Sequence, residues 1–264
     1  MTIRFIRDVK PLAAFVAIVA LAACSSDLTG SNRHAVQVSF ISRSASAPAA
    51  GLRASPDMTV GATGDLVLTK VEVVLDKIEL DRNGTSSCVA EIEASGDDHA
   101  AVGEECEDVS RDPVLIDIPV DGTLHGVLNV PLSEGTYEEL EAKLEPASAE
   151  ATTFNSTNAD MVGKSVRVEG TFKGTAFVFT SSVRRSLEMK FDPPLVIDAT
   201  TKNATVNLDV GKWFLDSSGA VIDPTTATEG SAARQQIEDN IERAFHAFED
   251  EHETGVDDHS GHDG

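Results

Sequence analysis

Leu66-Val67-Leu68-Thr69-Lys70-Val71-Glu72-Val73-Val74-Leu75-Asp76-Lys77-Ile78-Glu79-Leu80-Asp81 is the most apolar stretch of the body of this chain, and its reading decides the fold. Leu66 and Leu68 share one phase of a two-residue period. Val71, Val73 and Leu75 take the other phase, and Ile78 and Leu80 return to the first. A two-residue period marks a half-buried strand. A shift of one residue sends side chains to the opposite face, so the phase changes predict bulges within the strand. A short amphipathic helix is the competing reading, and the β-branched content argues against it.

The same period recurs on both sides. Upstream, Val36, Val38 and Phe40 alternate with Gln37 and Ser39, and residues 43–64 read as a Ser/Ala/Pro/Gly-rich link. Downstream, Val114, Ile116, Ile118 and Val120 alternate. Asp121-Gly122 is a hairpin signal, with Leu128, Val130 and Leu132 as the return strand. Ser133-Glu134-Gly135 turns the chain again, into Leu140, Ala142 and Leu144 alternating with Glu139, Glu141 and Lys143. A polar loop is expected over 146–163. Further strands follow around Val166–Phe172, Phe177–Phe179, Leu187–Phe191 and Ala204–Val210, with Pro193-Pro194 closing the third of these. About eight strands joined by short turns predict an all-β fold, an antiparallel β-sandwich over residues 36–250.

One helix is expected, over 231–250. Ile237, Ile241, Ala244, Phe245 and Phe248 make a single apolar stripe, and Ser231 is placed to cap it. Such a stripe packs on the body and can cover a sheet edge.

Two segments interrupt the apolar pattern. Residues 84–112 hold nine acids against one Arg, and residues 238–264 hold ten against one. The first contains Cys88 and Cys106, so 82–112 reads as an acidic loop closed by a disulfide. That bond would close about 19 residues and stabilise by ~3 kcal/mol in the chain-entropy model. A two-Cys metal site is the alternative, without a Cys-x-x-Cys spacing behind it. The second segment ends in a tail, 251–264, where His252, His259 and His262 sit among Asp257 and Asp258, with His246 on the preceding helix. Imidazole and carboxylate together suit Zn²⁺, Ni²⁺ or Cu²⁺. A solvated acidic tail is the plainer reading.

The N-terminus is an address. Arg4, Arg7 and Lys10 precede an apolar run from Leu12 to Ala20, which ends in Leu21-Ala22-Ala23-Cys24. Basic, apolar and small residues in that order form a secretory signal, here residues 1–23. The apolar run is shorter than the ~20 residues a membrane helix needs. Leu-Ala-Ala-Cys resembles the lipobox of bacterial lipoproteins. The resemblance implies cleavage before Cys24, acylation of its thiol and a lipid-anchored cell-envelope protein. With Ser25 rather than Asp in the next position, it implies the outer membrane if the cell is Gram-negative. Multiple acyl chains would make the anchor stable. Residues 24–35 then read as the lipidated Cys and a flexible tether.

The formal net charge of −23 makes nucleic acid and anionic lipid poor partners. A single Trp213 and a single Tyr137 leave little for aromatic stacking platforms. The chain has neither a Gly-x-Ser-x-Gly elbow nor a His-Glu-x-x-His motif, and His125 reads as a lone surface residue beside a turn. The expectation is a binding or structural module rather than an enzyme, with no cofactor, and with a protein partner or a divalent cation as its ligand.

Leu66 to Asp81, Val114 to Glu145 and Phe191 to Asp250 also resemble a group of bacterial lipoproteins carrying an uncharacterised, mostly β domain. The more specific passages are Val206-Asn207-Leu208-Asp209-Val210, Lys212-Trp213-Phe214, Val221-Ile222-Asp223-Pro224, the helix through Asn240-Ile241, and Gly135-Thr136-Tyr137. The resemblance implies the sandwich and the lipid anchor, and carries no residue role.

Overall fold

The computed structural model describes residues 33–42, 57–82, 106–201 and 203–249. Within them the protein is all-β and sandwich-like, with two sheets. The strands are β1 (Arg33–Ile41), β2 (Met58–Val60), β3 (Leu66–Asp81), β4 (Cys106–Ser110), β5 (Val114–Asp117) and β6 (His125–Ser133), followed by β7 (Gly135–Leu144), β8 (Val166–Phe172), β9 (Thr175–Ser181), β10 (Arg185–Ile197), β11 (Asn203–Leu208) and β12 (Phe245–Glu249). The smaller sheet runs β12-β11-β1-β6. The larger runs β10-β7-β3-β8-β9, with β2, β4 and β5 also paired to β3.

The 16-residue β3 is the hub of the larger sheet because its phase changes let successive parts of it take different neighbours. Its register shifts between Leu68 and Lys70 against β8, and between Asp76 and Glu79 against β7. These are the places where the apolar phase changes in sequence. At the second, Lys77 adopts a left-handed φ of 48°, and its N–H donates to Asp76 Oδ1 at 2.9 Å. At the first, Leu68 lies opposite Gly170. A Cβ on Gly170 would sit 2.1 Å from the Val67 carbonyl oxygen, so the bulge requires glycine there.

Several expectations are corrected. Asp121-Gly122 turns the chain, with Gly122 at φ 74°, but it does not make a hairpin. β5 pairs with β3 in the larger sheet and β6 with β1 in the smaller, so the turn carries the chain between layers. Ile118 N–H still reaches the Val71 carbonyl, and Pro119, lacking an N–H, ends that ladder. Ser133-Glu134-Gly135 likewise crosses between sheets. The sandwich is not wholly antiparallel, because β1 and β11 run parallel. β1 begins at Arg33, inside the stretch read as tether, and β2 lies inside the stretch read as a link. The acidic loop ends early, since β4 pairs with β3. β10 runs through Pro193-Pro194 to Ile197. It is an edge strand, and its ladder to β7 lapses between Lys190 and Leu195 and then resumes. The loop after β7 contains a short helix α1 (Thr152–Thr157) and a 3-10 turn, and the last expected strand stops at Leu208, before a short helix α2 (Val210–Trp213).

The C-terminal helix α3 spans Ala232–Glu242, not 231–250. Ser231 caps it as expected, its Oγ accepting from Arg234 N–H at 3.2 Å. Phe245 to Glu249 then form β12 against β11, and His246 is exposed on this strand. The residues at 244, 245 and 248 fit a helical stripe, but Phe245 and Ala247 also fit a strand. The edge of β11 supplies backbone partners that a longer helix would have left unpaired.

Both sheets contribute to one continuous apolar core, in which Phe40, Tyr137, Trp213 and Phe214 are fully buried. No helix among the described residues is long and apolar enough to cross a membrane.

Candidate functional site

An open cleft of about 720 Å³ lies where the chain passes from β5 to β6. Lys70, Asp117, Asp121, Thr123, His125 and Glu169 supply its polar lining. The sheet register brings these groups together. Asp117 on β5 lies opposite Glu72 on β3, which lies opposite Arg167 on β8, and Lys70 lies opposite Glu169. Cross-strand neighbours share a face, so these acids and cations lie together along the outer side of the larger sheet.

Glu72 is buried and is held by two cations. Lys70 Nζ sits 2.7 Å from one oxygen and Arg167 Nη1 3.0 Å from the other. Arg167 also pairs with Glu169. Its bond to Glu72 raises the guanidinium pKa further. Desolvation in the cleft pushes the Asp117 carboxyl above its ordinary value. The Glu72 carboxylate adds to this, and Lys70 and His125 oppose it. Asp121 behaves in the opposite way. Its Oδ1 accepts from the Thr123 hydroxyl at 2.7 Å and the Thr123 N–H at 3.0 Å, which holds its carboxyl below the ordinary range.

Lys70 and Arg167 are therefore committed to Glu72, while Asp117 and His125 face solvent. The cleft offers hydrogen-bond acceptors and negative charge at the edge of the β frame. That arrangement suits ligands carrying amines or other donors. His125, read from sequence as an ordinary surface residue, is exposed but lines this cleft. Lys70, Glu72, Arg167 and Glu169 were missed because they come from separate strands with no motif linking them.

Cys24, Cys88, His252, Asp257, Asp258, His259 and His262 all lie outside the described residues. Cys106 opens β4, is buried and is disulfide-bonded. Among the described residues no group of three or more His, Cys, Asp or Glu side chains is arranged to hold a metal ion. No family model, curated protein or solved structure matches this chain.

Proposed function

We propose that this protein is a lipid-anchored component of the cell envelope whose β-sandwich is a binding module, with the cleft from Asp117 to His125 as its recognition surface. The anchor reading rests on Leu21-Ala22-Ala23-Cys24 behind a basic and apolar leader. The binding reading rests on one observation. The cleft places the Asp117 carboxyl, pushed up by partial burial, near His125 where the chain crosses between the sheets. The occupant this chemistry favours is a partner segment presenting cationic or donor groups.

The experiment has two arms. In a Gram-negative host, the full chain should float with membranes and the Cys24→Ser variant should not. A photo-crosslinking residue at Thr123 should capture a discrete partner, and the same residue at the exposed Val178 should not. Capture should be lost in an Asp117→Asn, His125→Ala double variant. A soluble wild type would sink the anchor, and equal capture at both positions would sink the cleft.

A further inference from the structure

The larger sheet ends at β9, which pairs with β8 on one side and with no described strand on the other. Lys173 and Gly174, at φ 50° and 77°, close a two-residue turn between them, with Phe172 opposite Thr175. In such a hairpin the closing pair exchanges both backbone bonds, and every second pair after it does the same. Thr175, Phe177 and Phe179 therefore direct their N–H and C=O groups at β8. Ala176, Val178 and Thr180 turn theirs to the open edge, where no backbone group of the described residues meets them. The 3-10 turn at Pro224–Thr226 packs beside β9 without bonding to its backbone.

Open sheet edges are normally blunted by charge, proline or a bulge. The other edges here are. β10 carries Arg185, Glu188, Lys190, Asp192 and Pro193-Pro194, and lies against β12. β6 carries Pro131, and its register with β1 shifts. By contrast, Thr175-Ala176-Phe177-Val178-Phe179-Thr180-Ser181 has no charge and no proline, and pairs with β8 without a shift. Phe177 and Phe179 point into the core and meet Phe214 edge to face, which fixes the strand from below. On the outer face Val178 is 59% exposed, more than any other large apolar residue described.

We propose that β9 is a dimerisation edge, pairing antiparallel with β9 of a second copy of this chain about a two-fold axis at Val178. That register sets Val178 opposite Val178 and Ala176 opposite Thr180 of the second copy, so each outward N–H meets an outward C=O. A two-fold interface uses the same patch on both subunits. This strand suits its own copy because it is uncharged: two chains of net charge −23 meet here with no like charges opposed. The strand ends add attraction. The same register sets Lys173 opposite Val183 of the second copy, and Val183 lines one open cavity with Glu229. Lys173 lies over the Phe172 ring and Glu229 is exposed, and neither has an ion-pair partner among the described residues. This inference is independent of the cleft and of the anchor.

The test is photo-crosslinking of the full chain in whole cells, with the crosslinking residue at Ala176. The expected adduct is a second copy, shown by co-expressing two differently tagged chains and recovering both tags in one band. The same residue at the exposed Val196 of β10 gives none. Val178→Lys sets like charges across the axis and lowers the dimer yield about tenfold or more. Val178→Thr retains the dimer. Lys173→Glu lowers the yield, and adding Glu229→Lys restores it. These side chains are all exposed, so Trp213 emission stays that of the wild type. A copy captured from Val178 itself is this dimer, and its mass separates it from a partner held at the cleft. The inference is overturned if Ala176 captures no second copy or a different protein in its place, if Val196 captures as much, if Val178→Lys leaves the yield unchanged, or if the charge exchange restores nothing.

Discussion

The phenol of Tyr137 donates to the backbone carbonyl of Ser133 at 3.0 Å, joining the first turn of β7 to the last residue of β6 across the corner between the two sheets. The same oxygen accepts from Arg82 Nη2 at 3.0 Å, and the Arg82 guanidinium lies 4.8 Å from the ring centroid. Tyr137 is fully buried, and burial pushes its phenol pKa up. Tyr137→Phe keeps the packing and removes both bonds. It should cost about 1–3 kcal/mol, since a buried carbonyl and a charged donor lose their partner. Urea denaturation should show a lower midpoint with an unchanged slope.

Asn240 ties α3 to the end of α2. Its Nδ2 lies 3.2, 3.1 and 2.8 Å from the carbonyls of Lys212, Trp213 and Leu215. Asn240→Ala should destabilise by about 1–3 kcal/mol. Trp213 is fully buried in the wild type, so its emission reports directly on the loosening of this corner. A red shift in the folded variant at low denaturant is the expected sign.

Gly170→Ala tests the bulge of β3 opposite β8. The new Cβ meets the Val67 carbonyl oxygen, a backbone atom that cannot rotate away. A destabilisation of about 1–3 kcal/mol or more is expected, by the cost of overpacking. Gly163→Ala has open space around it but a φ of 71°, and serves as a comparison for backbone strain alone. A Gly170→Ala melt matching that of Gly163→Ala would contradict the close approach.

The pH dependence should carry the mark of Glu139. Its folded pKa is raised above the ordinary 4.5. The folded state therefore binds the proton more tightly than the unfolded chain. The stability this group contributes is fully present below the ordinary value and is lost as pH rises through the folded value. Glu139→Gln, which cannot ionise, should gain stability relative to wild type as pH rises from 4 to 7. A constant difference between the two proteins across that range would show that Glu139 does not titrate with folding.

Much of the local structure was legible in the residues. The phase changes in Leu66–Asp81 mark the shifts in register of β3, and Ser231 caps its helix, because both signals act over a few residues of contiguous chain. The end of that helix was misread. Apolar residues at 244, 245 and 248 satisfy the helical period while 245 and 247 satisfy the strand period, and only the neighbouring edge of β11 selects the strand. Asp121-Gly122 likewise announces a reversal without saying which strand lies beyond it. The cleft was illegible because Lys70, Asp117, Arg167 and Glu169 meet through the pairing of three strands.

By itself, the sequence determined that this protein is built of strands, where they bulge, and which end carries the basic and apolar run with the Leu-Ala-Ala-Cys motif. Alternation, turn residues and order along the chain are local properties. Tertiary structure alone decided that Glu139 and Glu141 are buried, although they alternate with Leu140 and Ala142 as solvent-facing residues would. A two-residue period states only that such side chains point away from the core between the sheets. Whether that outer face meets water depends on what packs over it from elsewhere in the chain, and no local pattern encodes that.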